Sequence, residues 1–220
     1  MMTYPVIAID GPSASGKGTV AAKVAEILQW AYLDSGALYR LTALYTQQCG
    51  VNPANEDAVA DLAVHLPVMF HHGDIFLNGS NVAGKIRSEE ISLLASQIAA
   101  LPKVRQALLQ RQRDFAKSQG LVADGRDMAT VVFPDAVLKI FLTATAQIRA
   151  ERRAKQLGIA LDTPEFRQIL SDIEKRDEAD RKRPIAPLKQ AADAILIDSS
   201  HLSIDEVVEK VILLYRQIEK

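Results

Sequence analysis

Apolar residues gather in short continuous runs along the chain, and stretches with helical spacing separate them. PVIAID (5–10), GLVADG (120–125), AVLKIFLTA (136–144) and DAILIDSS (193–200) are such runs, with AYLDSG (31–36) a shorter fifth. They are rich in β-branched residues and do not alternate with polar ones, which predicts parallel strands covered on both faces. Helical spacing fills KGTVAAKVAEILQW (17–30), PKVRQALLQRQRDFAKS (102–118), TAQIRAERRAKQ (145–156) and SIDEVVEKVILLYRQIEK (203–220). In the last of these, Ser203 and Glu206 have capping-box spacing. Strands alternating with helices predict an α/β fold, a doubly wound, parallel, five-stranded sheet with helices on both faces.

Two segments break the rhythm. LPVMFHHGDIFLNGSNVAGKIRS (66–88) carries strand-like runs around HHGD and NGSN, both hairpin-turn sequences, and reads as a small antiparallel insertion. Residues 157–189 crowd charges together before KRPIAPLKQ. Over 149–183 there are ten Lys/Arg against eight Asp/Glu, so the segment is mixed and not a basic tail.

Composition narrows the function. At 220 residues, one α/β domain with an insertion is expected in place of two independent domains. A net charge of −1 provides no global basic field, so no nucleic-acid partner is implied and any anion site must be a local concentration of arginine. The single cysteine, Cys49, excludes an internal disulfide and a four-cysteine metal site, and its helical setting reads as a filler. His65, His71, His72 and His201 form no ligand spacing. No basic segment precedes a long apolar run and no 18-residue apolar stretch occurs, so a cytoplasmic protein with no membrane partner is expected.

The strongest chemical signal is GPSASGKGT. Gly11, Pro12, Ser13, Ala14, Ser15, Gly16 and Lys17 follow an apolar strand and open a helix at Gly18, the context a phosphate-binding loop requires. Glycines let backbone N–H groups wrap an anion at a helix N-terminus, and Lys17 adds a positive charge that can follow a transferring phosphoryl group. A hydroxyl that holds magnesium is expected directly after the lysine. Gly18 stands there instead, and Thr19 is turned about 100° around the helix. Magnesium would then be held mainly by phosphate oxygens and water. G-x-x-x-x-G-K-G-T resembles the loop of nucleoside monophosphate kinases.

In LDSGALYR (33–40), Ser35 reads as a helix N-cap with Arg40 close to the same end, a second anion site or a simple cap with a surface arginine. In LVADGRDMATVVFPDA (121–136), Asp124 ends an apolar strand, and Arg126 and Asp127 emerge at the carboxyl end of the sheet, where ligands bind in such folds. By charge pattern alone, RDEADRKR (176–183) reads as a solvated helix face.

DGPSASGKGT, LDSGALYR, ASQIAALPKVRQALLQRQR, ADGRDMATVVFPDA and KRDEADRKRPIAPL together resemble the bacterial cytidylate kinase family over nearly the whole chain. The resemblance implies transfer of the ATP γ-phosphoryl group to CMP or dCMP with Mg2+, by a monomer. It implies a core of 1–65, 89–148 and 190–220, with 66–88 as a monophosphate-side insertion and 149–189 as a helical lid. Ser35, Arg40, Ser96, Arg105, Arg126, Asp127, Arg176, Asp180 and Arg183 would line the CMP site. Lys17, Arg126, Arg176 and Arg183 would stabilise the transferring group. Arg149 and Arg153 would join Gly11 to Thr19 in binding ATP, and Asp124 would orient the metal through water. Pro184 departs from the family pattern. Another nucleotide or metabolite acceptor is the nearest alternative. A nucleotide-controlled switch is the other, although the chain has neither the hydroxyl after Lys17 nor a guanine-reading N-K-x-D.

Overall fold

The computed structural model describes residues 4–71, 74–116 and 119–218. Five strands, β1 (Val6–Asp10), β2 (Ala31–Asp34), β6 (Leu121–Gly125), β7 (Leu138–Thr143) and β8 (Ile195–Asp198), form a parallel sheet in the order β2-β6-β1-β7-β8. Each falls inside one of the apolar runs. Central β1 and β6 are buried at every position, as continuous runs require. Edge strand β8 differs, because only Ile197 among its four residues is buried. Full covering fails there because an edge strand has a neighbour on one side only.

Helix α1 (Lys17–Leu28) follows β1, and α8 (Ile204–Ile218) closes the chain. Val20, Val24, Val207 and Val211 of these helices pack with Ile7, Ile9 and Ile140 of the sheet. The capping box forms as its spacing predicts: the Ser203 hydroxyl accepts the Glu206 N–H, and Glu206 accepts the Ser203 N–H at 2.8 Å. Helices α6 (Ala146–Leu157) and α7 (Pro164–Lys182) lie between β7 and β8 and share a small apolar cluster of Ala150, Ala154, Phe166 and Ile173.

The chain contacts divide it into two compact units, one holding the chain up to Leu33 and from Phe115 onward, the other Asp34–Asp114. The second unit holds α2 (Ser35–Gln48), α3 (Glu56–Val64), α4 (Glu89–Ile98) and α5 (Pro102–Arg113). It also holds the antiparallel sheet β3 (Val68–His71), β4 (Asp74–Leu77) and β5 (Ser80–Asn81). The turn Asn78-Gly79 has positive φ at both residues (49° and 76°), the geometry expected of NG. In HHGD, His72 and Gly73 lie outside the described residues. Cys49 is exposed at the end of α2, so it is not a core filler. No helix among the described residues is long and apolar enough to cross a membrane.

Candidate functional site

The sheet order places the phosphate loop at a topological switch point. From β1 the chain crosses to β2 on one side, while from the adjacent β7 it leads to β8 on the other. Ligands bind in the crevice such divergence opens. The loop hugs the sheet: a Cβ on Gly11 would stand 2.0 Å from the Leu142 carbonyl oxygen, so only glycine fits. Ala14 (φ 58°) and Gly16 (φ 88°) take left-handed conformations, which turn successive N–H groups towards one concavity. Gly16 caps α1 without a side-chain acceptor, leaving the helix's first N–H groups for an anion. The buried Ser15 hydroxyl has no hydrogen-bond partner among the described residues. Lys17 is buried and arches back, its Nζ donating to the Pro12 carbonyl at 3.1 Å.

Gly18, where a metal-holding hydroxyl is expected, faces a phenol and a carboxylate. A Cβ on Gly18 would come within 3.4 Å of the Tyr32 hydroxyl and 3.6 Å of Asp124 Oδ2, while Thr19 is exposed. Tyr32 donates to Asp124 Oδ2 at 2.7 Å, so a phenol from β2 and a carboxylate from β6 border the face of Gly18.

Arg126 ties three segments together. Its Nη2 donates to Ser13 Oγ at 2.9 Å and its Nε to Asp180 Oδ2 at 2.7 Å. Asp180, on α7, also accepts from Arg183. Burial pushes the Asp180 carboxyl up, but Arg126 and Arg183 outweigh it and hold it below the usual carboxylate range. Burial lowers the Arg176 guanidinium against the opposing pull of Asp180. The run 176–183 is therefore not a uniformly solvated face. Asp177, Asp180 and Arg183 turn inward at helical spacing, whereas Lys182 and Glu178 pair in solvent. Asp127 is buried beside Arg126.

Arg149 is buried, bonded to the Ser13 carbonyl at 2.9 Å and paired through two nitrogens with Asp177 at 3.1 and 2.5 Å. Arg153 is half-buried one turn on and makes no hydrogen bond or ion pair among the described residues. Sequence reasoning passed over Arg152, whose Nη2 donates to the Ser199 carbonyl at 2.5 Å and whose Nη1 bonds Ser199 Oγ at 3.1 Å. It also missed Asp10, Tyr32 and Asp177. Each is an ordinary polar residue next to a recognised motif, and its partner lies tens of residues away.

In the unit Asp34–Asp114, the expected cap moves by one residue. Asp34, not Ser35, caps α2: its Oδ1 accepts the Ala37 N–H at 2.8 Å, and its Oδ2 pairs with Arg40 at 2.7 Å. Both residue types cap well, and β2 runs on to Asp34, so the extended cap conformation falls there. Ser35 is buried as the first helical residue. Arg105 on α5 is buried as expected, 5.8 Å over the Tyr39 ring and donating to the Ala99 carbonyl at 3.2 Å. Ser96 is half-buried on α4.

Sheet order, loop and converging arginines define a phosphate-loop α/β protein built for phosphoryl chemistry. The Cytidylate kinase family model matches residues 7–217. A cytidylate kinase of Neisseria meningitidis serogroup C is 61% identical, over 99% of this chain and 100% of its own length. One from Chromobacterium violaceum is 56% identical, over 96% and 95%. The chain belongs to the cytidylate kinase family. Among solved structures, a gluconokinase from Sinorhizobium meliloti superposes with a TM-score of 0.50 at 15% identity, covering 100% of this chain and 96% of its own, which is a likeness of fold alone.

Proposed function

We propose that the chain transfers the γ-phosphoryl group of ATP to CMP or dCMP, giving CDP or dCDP and ADP. The observation that carries this reading is Arg126, a single guanidinium joining the phosphate loop at Ser13 to the arginine-bearing helix α7 at Asp180. An oxygen of the CMP phosphate attacks the γ-phosphorus, the bond to the β–γ bridging oxygen breaks, and that oxygen leaves with ADP. The attacking oxygen is largely deprotonated near neutral pH, so the step needs no side-chain base. Negative charge spread over the equatorial oxygens is met by Lys17, Arg126, Arg176 and Arg183.

Gly11 to Thr19 hold the ATP phosphates, and the buried Ser15 hydroxyl, which has no hydrogen-bond partner among the described residues, can donate to a phosphate oxygen. Arg149 and Arg153 belong to the ATP side. On the acceptor side, Ser35, Arg40, Ser96 and Arg105 serve together with Arg126 and Asp127. Arg176, Asp180 and Arg183 reach the acceptor's sugar and phosphate. Asp127 accepts from the cytosine amine and Arg105 donates to a ring acceptor; uracil reverses that pattern. Mg2+ fits this donor set: the Asp124 carboxylate, which accepts from the Tyr32 hydroxyl, borders the face of Gly18. It would be held through water by Asp124 and otherwise by phosphate oxygens, supplying charge neutralisation. Segment 66–88 is the monophosphate-side insertion and 149–189 the lid, which excludes water on closing. The enzyme works as a cytoplasmic monomer on small molecules, without nucleic acid or membrane.

A coupled assay of ADP production across CMP, dCMP, UMP and AMP tests the reading. CMP and dCMP should be preferred, and equal turnover of all four would overturn it. Lys17→Ala should lose more than about 100-fold in turnover with the fold intact by circular dichroism.

A further inference from the structure

Asp10 is a buried ionisable group that the transfer scheme leaves without a task. It ends β1 one residue before the phosphate loop, with 1% of its surface exposed. Its two carboxylate oxygens accept the backbone N–H groups of Met128 at 2.9 Å and Ala129 at 2.8 Å. Those amides open a five-residue π-helical turn, Met128–Val132, which begins directly after Arg126 and Asp127. A side chain rooted in the loop strand therefore grips, at two points, the backbone that carries the acceptor-side pair. Asp127 and Lys17 also face it, the first opposing its ionisation and the second favouring it, and Arg126 lies within its field.

Holding this group as a carboxylate is costly to the fold. Burial pushes it up to about 6, even though the two amides pull the other way. Ionisable groups kept at such a cost cluster at functional sites. We propose that Asp10 is a positioning residue: by holding the Met128 and Ala129 amides, it fixes Arg126 and Asp127 against the phosphate loop, and so sets acceptor affinity and base choice. The proposal rests on Arg126 and Asp127 being acceptor ligands. A carboxylate accepts both N–H groups. A carboxylic acid, or an asparagine, turns one of its two polar groups into a donor and loses one grip.

Two measurements test it. In the ligand-free enzyme, amide resonances of Met128 and Ala129 are followed from pH 7.5 to 4.5 together with the Arg126 Nε resonance. The ligand is omitted because a phosphate monoester titrates near the same pH. All three should move with one midpoint near 6; a stationary Arg126 Nε overturns the proposal. In kinetics at pH 7.5, Asp10→Asn should raise KM for CMP by about 10- to 100-fold and narrow the CMP/UMP ratio, with KM for ATP nearly unchanged. A role in packing alone would lower the melting temperature and leave the CMP/UMP ratio as it was, which overturns the proposal. If the variant does not fold, the titration of the parent decides. A parent with no preference for CMP would overturn the functional reading while leaving the titration result standing.

Discussion

Arg183 and Lys182 are adjacent cations at the end of α7 with opposite surroundings. The Arg183 side chain is 9% exposed and held by Asp180, which also holds Arg126; the Lys182 side chain is 75% exposed and pairs with Glu178. An exposed pair one helical turn apart is screened by water and contributes little to stability. Lys182→Ala should therefore leave kcat and stability near the parent values, whereas Arg183→Ala should lower kcat by about 100-fold or more. Equal, small effects would remove Arg183 from the chemistry. Asp10 gives a pH prediction at the same scale. Its folded pKa of about 6 lies above the 3.8 of the free side chain, so its contribution to stability is complete below pH 4 and lost as pH rises through 6. Relative to the parent, Asp10→Asn should be favoured at pH 7.5 over pH 4, by an amount on the order of 3 kcal/mol. Urea melts at both pH values measure the gap, and a gap independent of pH would show that Asp10 is not perturbed. Among single residues, the phosphate loop was legible because strand, glycines, lysine and helix sit in one contiguous stretch. Asp10 was not, because its importance lies in amides 118 and 119 positions away.

Helices α6 and α7 show what an element adds beyond its residues. Arg149 and Asp177, 3% and 6% exposed, form a two-nitrogen pair joining the helices, and Arg149 continues to the Ser13 carbonyl. Breaking such a pair leaves an uncompensated buried charge and costs about 3–5 kcal/mol. Asp177→Ala should thus lower the melting temperature by roughly 6–20 °C for a chain of this size. The double variant Arg149→Met/Asp177→Leu should recover much of that stability, because apolar replacement of both partners removes the stranded charge. A double variant as unstable as Asp177→Ala would mean that the Ser13 contact, not the ion pair, carries the stability. The strands were legible since burial on both faces leaves unbroken apolar runs, and the run around β8 showed its position but not its exposure. Apolar content reports that a strand belongs to a sheet; whether it lies at the edge depends on topology. The two faces of 176–183 were hidden for a related reason. Charge pattern alone reads as solvated, and only the 28-residue separation from Asp177 back to Arg149 identifies the inward face.

At the scale of the whole molecule, a net charge of −1 places no general attraction on nucleotide anions, so binding must come from the local sites. Ligand binding to the native state alone then stabilises the entire fold by mass action, about 2.7 kcal/mol at 100 times the dissociation constant. For a chain of this length that corresponds to a rise in melting temperature of roughly 5–11 °C. CMP at that concentration should produce such a rise. UMP at the same concentration should produce only about 1–2 °C if its affinity is 100-fold weaker, since it would then sit near its own dissociation constant. The difference reads base recognition without turnover, so it separates failure of binding from failure of chemistry. Asp127→Asn should shrink the CMP shift and bring the two nucleotides closer, because an amide can donate to the uracil carbonyl where a carboxylate cannot. Lys17→Ala should leave the CMP shift near that of the parent while abolishing the shift from ATP, if the loop meets the donor phosphates as proposed. A Lys17→Ala protein that loses both shifts alike would mean that the loop supports the acceptor as well, and that donor and acceptor sites are not independent in this fold.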